Sequence, residues 1–130
     1  MIIDKAILDD LSAKAKASSR LRCSFDLRNS SEDLSQRMLN ALEPGTVMPI
    51  HRHKESSETC VCVRGHFEEY FYDSDGRLVE TVDMVPGGGV LNIEKGQWHS
   101  LKCLESGTVS LESKDGPYRP LEEDDVMQEG

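Results

Sequence analysis

The apolar positions first recur at helical spacing and then switch to a period of two. Ile7, Leu8, Leu11 and Ala15 fall on one stripe of a helix predicted over residues 4–17. Asp4 is placed to cap it, Ile3 and Leu8 have the spacing of a hydrophobic staple, and Ser18 and Ser19 end it. From residue 20 onward strand-like alternation takes over. RLRCSFDL (20–27) sets Leu21, Cys23, Phe25 and Leu27 on one side. QRMLNAL (36–42) runs into the breaker EPG, and TCVCVR (59–64) is cut by Gly65. HFEEYFY (66–72), the turn DSDG and RLVETVDM (77–84) read as a hairpin. VLNI (90–93), WHSLKC (98–103) and TVSLESK (108–114) follow, separated by glycine-bearing turns.

About eight or nine short strands at sandwich-like spacing predict an all-β chain. No helix alternates with them, which excludes a doubly wound parallel sheet. A closed barrel or jelly roll deals with the exposed edges. The expected organisation is a helix packed on the barrel (1–19), a β-barrel domain (20–118) and an acidic, flexible tail (119–130), because the last stretch is poor in apolar residues.

Charge narrows the choice of partners. A chain of 130 residues with net charge −9 is no nucleic-acid binder and avoids anionic membranes. Arg20, Arg22, Arg28 and Arg37 nevertheless cluster in the first third, which leaves room for a carboxylated or phosphorylated small molecule. No apolar run is long enough to span a membrane, and aspartates stand where a signal peptide would be basic. A cytoplasmic location with reduced cysteines is the expectation. Cys60 and Cys62 lie closer together than zinc-site cysteines do and read as core, as do Cys23 and Cys103.

The chemistry concentrates in GTVMPIHRHKESSETCVCVRG (45–65), which holds two of the four histidines. On a strand, His51 and His53 face one way, ~6.7 Å apart. A polar turn (54–57) lets Glu58 return to the same point, and His99, after the turn EKGQ, supplies a third imidazole. Three imidazoles and a carboxylate suit one divalent transition metal, with Fe, Mn, Ni, Zn, Co and Cu all admissible. A six-coordinate ion would keep two positions open for water or substrate.

These positions resemble two cupin motifs. The first is filled throughout: Gly45, five residues, His51, one, His53, four, Glu58, six, Gly65. The second keeps its spacing at Gly88, Gly96 and His99, with Glu94 in place of proline and Cys103 in place of asparagine. RMLNALEPGT (37–46), the HRH element, ETCVCVRGHFEEYFYDSDGR (58–77) and ESKDGPY (112–118) are further similar to the WbuC family of cupin-fold metalloproteins. That resemblance implies a double-stranded β-helix, or jelly-roll barrel, with a bound metal. It also implies a homodimer, for which the helix and strand 20–27 are the interface candidates, and a link to O-antigen or other surface-polysaccharide synthesis.

Arg37 and Asn40, polar in an apolar strand, are candidates to line the pocket, together with His66, Tyr70, Trp98 and Glu112. No residue stands out as the acid or base. The functional expectation is a metal-dependent enzyme, an isomerase, epimerase or oxygenase, acting on a small sugar-like molecule. The alternatives are a binding module that holds its ligand on the metal without turnover, and a metal-free sugar-nucleotide epimerase of similar fold.

Overall fold

The computed structural model describes residues 1–128; Glu129, at the end of the acidic tail, lies outside them. Helix α1 (Lys5–Ala17) begins where the sequence places its cap, with the Asp4 carboxylate accepting from the Ile7 amide at 3.2 Å. Eight strands follow: β1 (Arg22–Asp26), β2 (Ser35–Leu42), β3 (Glu58–Arg64), β4 (Phe67–Tyr72), β5 (Leu78–Met84), β6 (Leu91–Ile93), β7 (Trp98–Cys103) and β8 (Thr108–Asp115). They form two antiparallel sheets, β1-β2-β8-β3-β6 and β5-β4-β7, the jelly-roll arrangement anticipated from the alternation.

Strand parity divides the large sheet into two faces. On the outer face Leu39, Ala41 and Val109 are buried under Leu8, Leu11 and Ala15 of α1, with Cys23, Phe25 and Leu27 packed alongside. The inner face of β3 joins β4, β5 and β6 in a second core of Cys60, Cys62, Phe67, Met84, Leu91 and Ile93. All four cysteines are free. Gly65 turns the chain between β3 and β4 at φ +87°, and a Cβ there would lie 2.7 Å from the Thr108 Cα. Only glycine allows that approach. Among the described residues no helix is long and apolar enough to cross a membrane.

Two segments depart from the expectation. The approach to His51 is not a strand: Pro44, Gly45 and Pro49 interrupt pairing, and His51 makes isolated bridges to His99 on one side and Val126 on the other. Residues 122–127, read as flexible tail, fold back beside it. The Arg52 amide donates to the Asp125 carbonyl at 3.0 Å and the Met127 amide to the Ile50 carbonyl at 2.9 Å. Lys54 reaches Glu122, Asp124 and Asp125 together, and Arg52 pairs with Asp124 and Asp125. Backbone pairing and charge hold this stretch, so its apolar content was no guide to its order.

Candidate metal centre

A cavity of about 260 Å³ opens between the two sheets. Residues of five strands line much of it: Asn40 and Leu42 of β2, Glu58 and Cys60 of β3, Phe67 and Glu69 of β4, His99, Ser100 and Leu101 of β7, and Ser110, Glu112 and Lys114 of β8. His51 and His53 enter from the loop before β3.

Ligating nitrogens of His51, His53 and His99 lie within 4.8 Å of one another. The ring centroids of His51 and His99 are 4.3 Å apart. Nδ1 of His51 sits 2.8 Å from the Pro49 carbonyl, and Nδ1 of His99 sits 2.9 Å from the Gln97 carbonyl. A carbonyl only accepts, so in both rings Nδ1 carries the proton and Nε2 keeps its lone pair. Burial, with the neighbouring His99, lowers His51 to about 4. Burial and the Lys114 charge lower His53 to about 3, and burial lowers His99 as well. All three rings are therefore neutral at pH 7, the state a metal requires. Mutual distance, fixed tautomers and neutrality together make a donor group that could hold one divalent metal ion.

Glu58 stands beside this group, its Oε2 3.8 Å from His99 Nε2 and its Oε1 3.4 Å from Lys114 Nζ. Lys114 also lies 3.8 Å from Glu112. Burial alone would lower the Lys114 ammonium, but Glu112 and Glu58 hold it above its ordinary value. Burial, with the Glu58 charge added, lifts Glu112 to about 7. Glu69, 3% exposed, is pushed well above the carboxylate range by burial and by Glu58 and Glu112.

Asn40 and Glu112 reach the cavity; the other pocket candidates do not. Arg37 shares the outward parity of Leu39 and Ala41 and pairs with Asp33 at 3.2 Å. Tyr70 has the wrong parity on β4, and its hydroxyl donates to Glu68 at 3.1 Å. His66 precedes β4 and pairs with Asp83 on β5. Trp98 lies outside, with the Arg52 guanidinium 4.6 Å from its ring centre. Lys114 and Glu69 went unnoticed because a charged residue in a strand reads as solvent-facing. Parity was the available signal: Lys114 is two residues from Glu112, and Glu69 sits between Phe67 and Phe71.

Solved structures share this architecture. KdgF from Halomonas sp. matches with TM-score 0.60 and 17% identity over 75% of this chain and 80% of its own. Oxalate decarboxylase from Bacillus subtilis matches with TM-score 0.59 and 22% identity, over 82% of this chain but 27% of its own. The cupin domain of Schizosaccharomyces pombe Cnp3 matches with TM-score 0.59 and 16% identity, over 75% of this chain and 61% of its own. At such identities the likeness concerns the fold, and it defines this protein as a cupin-fold jelly roll. No curated protein sequence matches it. Within that class, the chain belongs to the family described as Domain of unknown function (DUF6016), which it matches over residues 3–84. That span holds His51, His53 and Glu58 and ends before His99.

Proposed function

We propose that this protein is a mononuclear metal-binding cupin that acts on a small oxygenated molecule in the cavity between its sheets. His51, His53 and His99 supply the nitrogens and Glu58 the carboxylate. The observation that carries this reading is the pair of Nδ1–H bonds to the Pro49 and Gln97 carbonyls, which leave the Nε2 atoms of two buried rings as acceptors beside a third imidazole. His51 and His99 are buried and His53 is half-buried, and the Glu58 carboxylate stands 3.8 Å from His99 Nε2, close enough to complete the donor set. The Mn(II) centres named for the Bacillus subtilis oxalate decarboxylase support a transition metal as the cofactor class.

When bound, the ion would supply Lewis-acid polarisation of a substrate hydroxyl or carbonyl, or of a water. The chain's own residues do the rest. Phe67, Leu101 and Cys60 limit water in the cavity, Asn40 and Ser110 offer hydrogen bonds, and Lys114 orients Glu58. Glu69 and Glu112 are the cavity carboxyl groups outside the proposed ligand set, so proton transfer in an isomerisation or epimerisation falls to them. The WbuC resemblance supports a sugar derivative of surface-polysaccharide synthesis as the substrate. Homodimer formation would use edge strand β1, since α1 already commits its apolar stripe to its own barrel.

Loading the metal-stripped protein with Co(II) tests the reading. The visible spectrum should show ligand-field bands of a nitrogen-rich site, absent in His53→Ala. A spectrum identical to aqueous Co(II) in the wild-type protein would overturn it.

A further inference from the structure

Two arginines line this cavity without a counter-ion. Among the described residues Arg28, Arg37, Arg52, Arg64 and Arg119 each lie within 4.0 Å of a carboxylate, and Arg20, Arg22 and Arg77 do not. Arg77 is on the exposed hairpin turn, but Arg20 and Arg22 both border the cavity that holds the imidazoles. The Arg22 guanidinium has only marginal contacts, at 3.5 Å, with the Val47 carbonyl and the Met48 sulfur. In a chain of net charge −9, two neighbouring, unpaired cations at one rim stand out. A half-buried guanidinium beside a like charge is costly to hold without a partner.

The backbone between them is held in an unfavourable conformation. Leu21 has φ +56°, the one non-glycine residue at positive φ among those described. For a branched residue this left-handed backbone is strained. The Leu21 amide donates to the Ser18 carbonyl, and the Leu21 carbonyl accepts from the Glu43 amide, both at 3.0 Å. Gly45 leaves room for the side chain, since a Cβ there would lie 3.0 Å from Leu21 Cδ1. The turn that delivers Arg20 and Arg22 to the rim is thus fixed at some expense of strain.

Charge is also sorted along the cavity. Glu58, Glu69 and Glu112 lie inside it, and the two arginines lie at its β1 edge. Lys114, the cavity's remaining cation, is engaged by Glu58 at 3.4 Å and Glu112 at 3.8 Å, so Arg20 and Arg22 are the lining cations left free to meet an anionic group. Met48, which Arg22 touches, is three residues from His51, at most ~10 Å of chain.

We propose that Arg20 and Arg22 are the substrate-recognition pair of this cavity, binding the carboxylate or phosphate of a small hydroxy or keto acid whose oxygenated end faces the three histidines. The inference rests on the metal-cavity reading for the second half of that statement. Guanidinium groups suit this task because they grip an oxyanion with two parallel bonds.

The test is calorimetric titration of the full-length protein as purified, with its metal content measured alongside. The probes are D-gluconate for a carboxylate, D-glucose 6-phosphate for a phosphate and D-glucose as the neutral control. The expected result is that at least one anionic probe binds tenfold or more tightly than glucose. Arg22→Gln and the more exposed Arg20→Gln should each weaken that probe about tenfold, at unchanged metal content and unchanged melting temperature. Which anion responds identifies the group. Neither anion exceeding glucose, or variants binding like the wild type, would overturn the proposal, as would variants that lose binding only together with metal. Arginine-dependent binding in a protein that carries no metal would support the pair while removing the metal reading. A metal-bearing protein with no arginine dependence would do the reverse.

Discussion

The main chains of His51 and His99 bond to each other in both directions, His51 N to His99 O at 3.0 Å and His99 N to His51 O at 2.9 Å. Residues directly opposed in this way project to the same face. The pairing alone therefore puts two imidazoles side by side, though one comes from a loop and the other from β7. The loop is anchored just before that point by Ser100, whose hydroxyl donates to the Met48 carbonyl at 2.7 Å. Ser100→Ala removes this buried anchor and should lower stability by about 1–2 kcal/mol. Metal affinity, read by competition with a chelating dye, should fall on the order of tenfold, as for other supports of a ligand. An unchanged affinity would show that the backbone pairing alone holds the loop.

Acid should act on the metal-free protein through its buried histidines. His51 titrates near 6.5 when unfolded and about 4 when folded. Between those values the unfolded chain binds the extra proton, so the His51 contribution is complete above pH 6.5 and is lost as pH falls towards 4. Glu112, raised to about 7, has the opposite sign and masks part of this in the whole-protein curve. The difference between wild type and His51→Gln isolates it. In urea unfolding of chelator-treated protein, the wild type should lose stability relative to the variant from pH 7 to 4.5, by at most ~3 kcal/mol. A difference independent of pH would contradict the burial assigned to His51.

Gly65→Ala should be among the most damaging single-atom additions. It forces a side chain into φ +87° with Thr108 Oγ1 2.3 Å from the new Cβ. Roughly 2–4 kcal/mol of destabilisation is expected in chemical unfolding, from strain and overpacking together. A loss below about 0.5 kcal/mol would mean that the β3–β4 turn and the start of β8 separate readily.

The returning C-terminal stretch should protect the His51 loop. The Asp125 carboxylate accepts from the Glu122 amide at 2.9 Å and lies 3.1 Å from Lys54 and 3.5 Å from Arg52. In Asp125→Ala the Arg52 and Met127 amides, which bond across this pairing, should exchange with deuterium faster by at least tenfold. The amides of β2 and β8 should keep their rates. Unchanged exchange at Arg52 would show that Asp125 is not what holds the stretch in place.

How far the sequence could be read depended on which force shapes each part. Where one face of a strand is buried, apolar alternation records it, and β1 to β8 and the capped helix α1 were legible for that reason. The convergence of His51, His53 and His99 was legible because a metal-ligand pattern, which the sequence matches, sets those residue types at those intervals. Pocket polarity was read poorly. Arg37 and Tyr70 are polar residues whose parity turns them outward, whereas Glu69 and Lys114 turn inward, and residue type overrode parity in that reading. The stretch 122–127 was missed because ion pairs to Arg52 and Lys54 and main-chain bonds to Ile50 and Arg52 leave no apolar signature. Leu21 shows nothing in the sequence of the left-handed backbone it adopts.

Whether His51, His53 and His99, two buried imidazoles and a half-buried third, hold a metal decides the proposed function. The most direct measurement is elemental mass spectrometry of the untagged protein purified without added metal, with His51→Ala as the control. A near-stoichiometric transition metal in the wild type, lost in the variant, is the predicted result. No metal in either protein, and none retained after reconstitution, would show that these imidazoles are not a metal site.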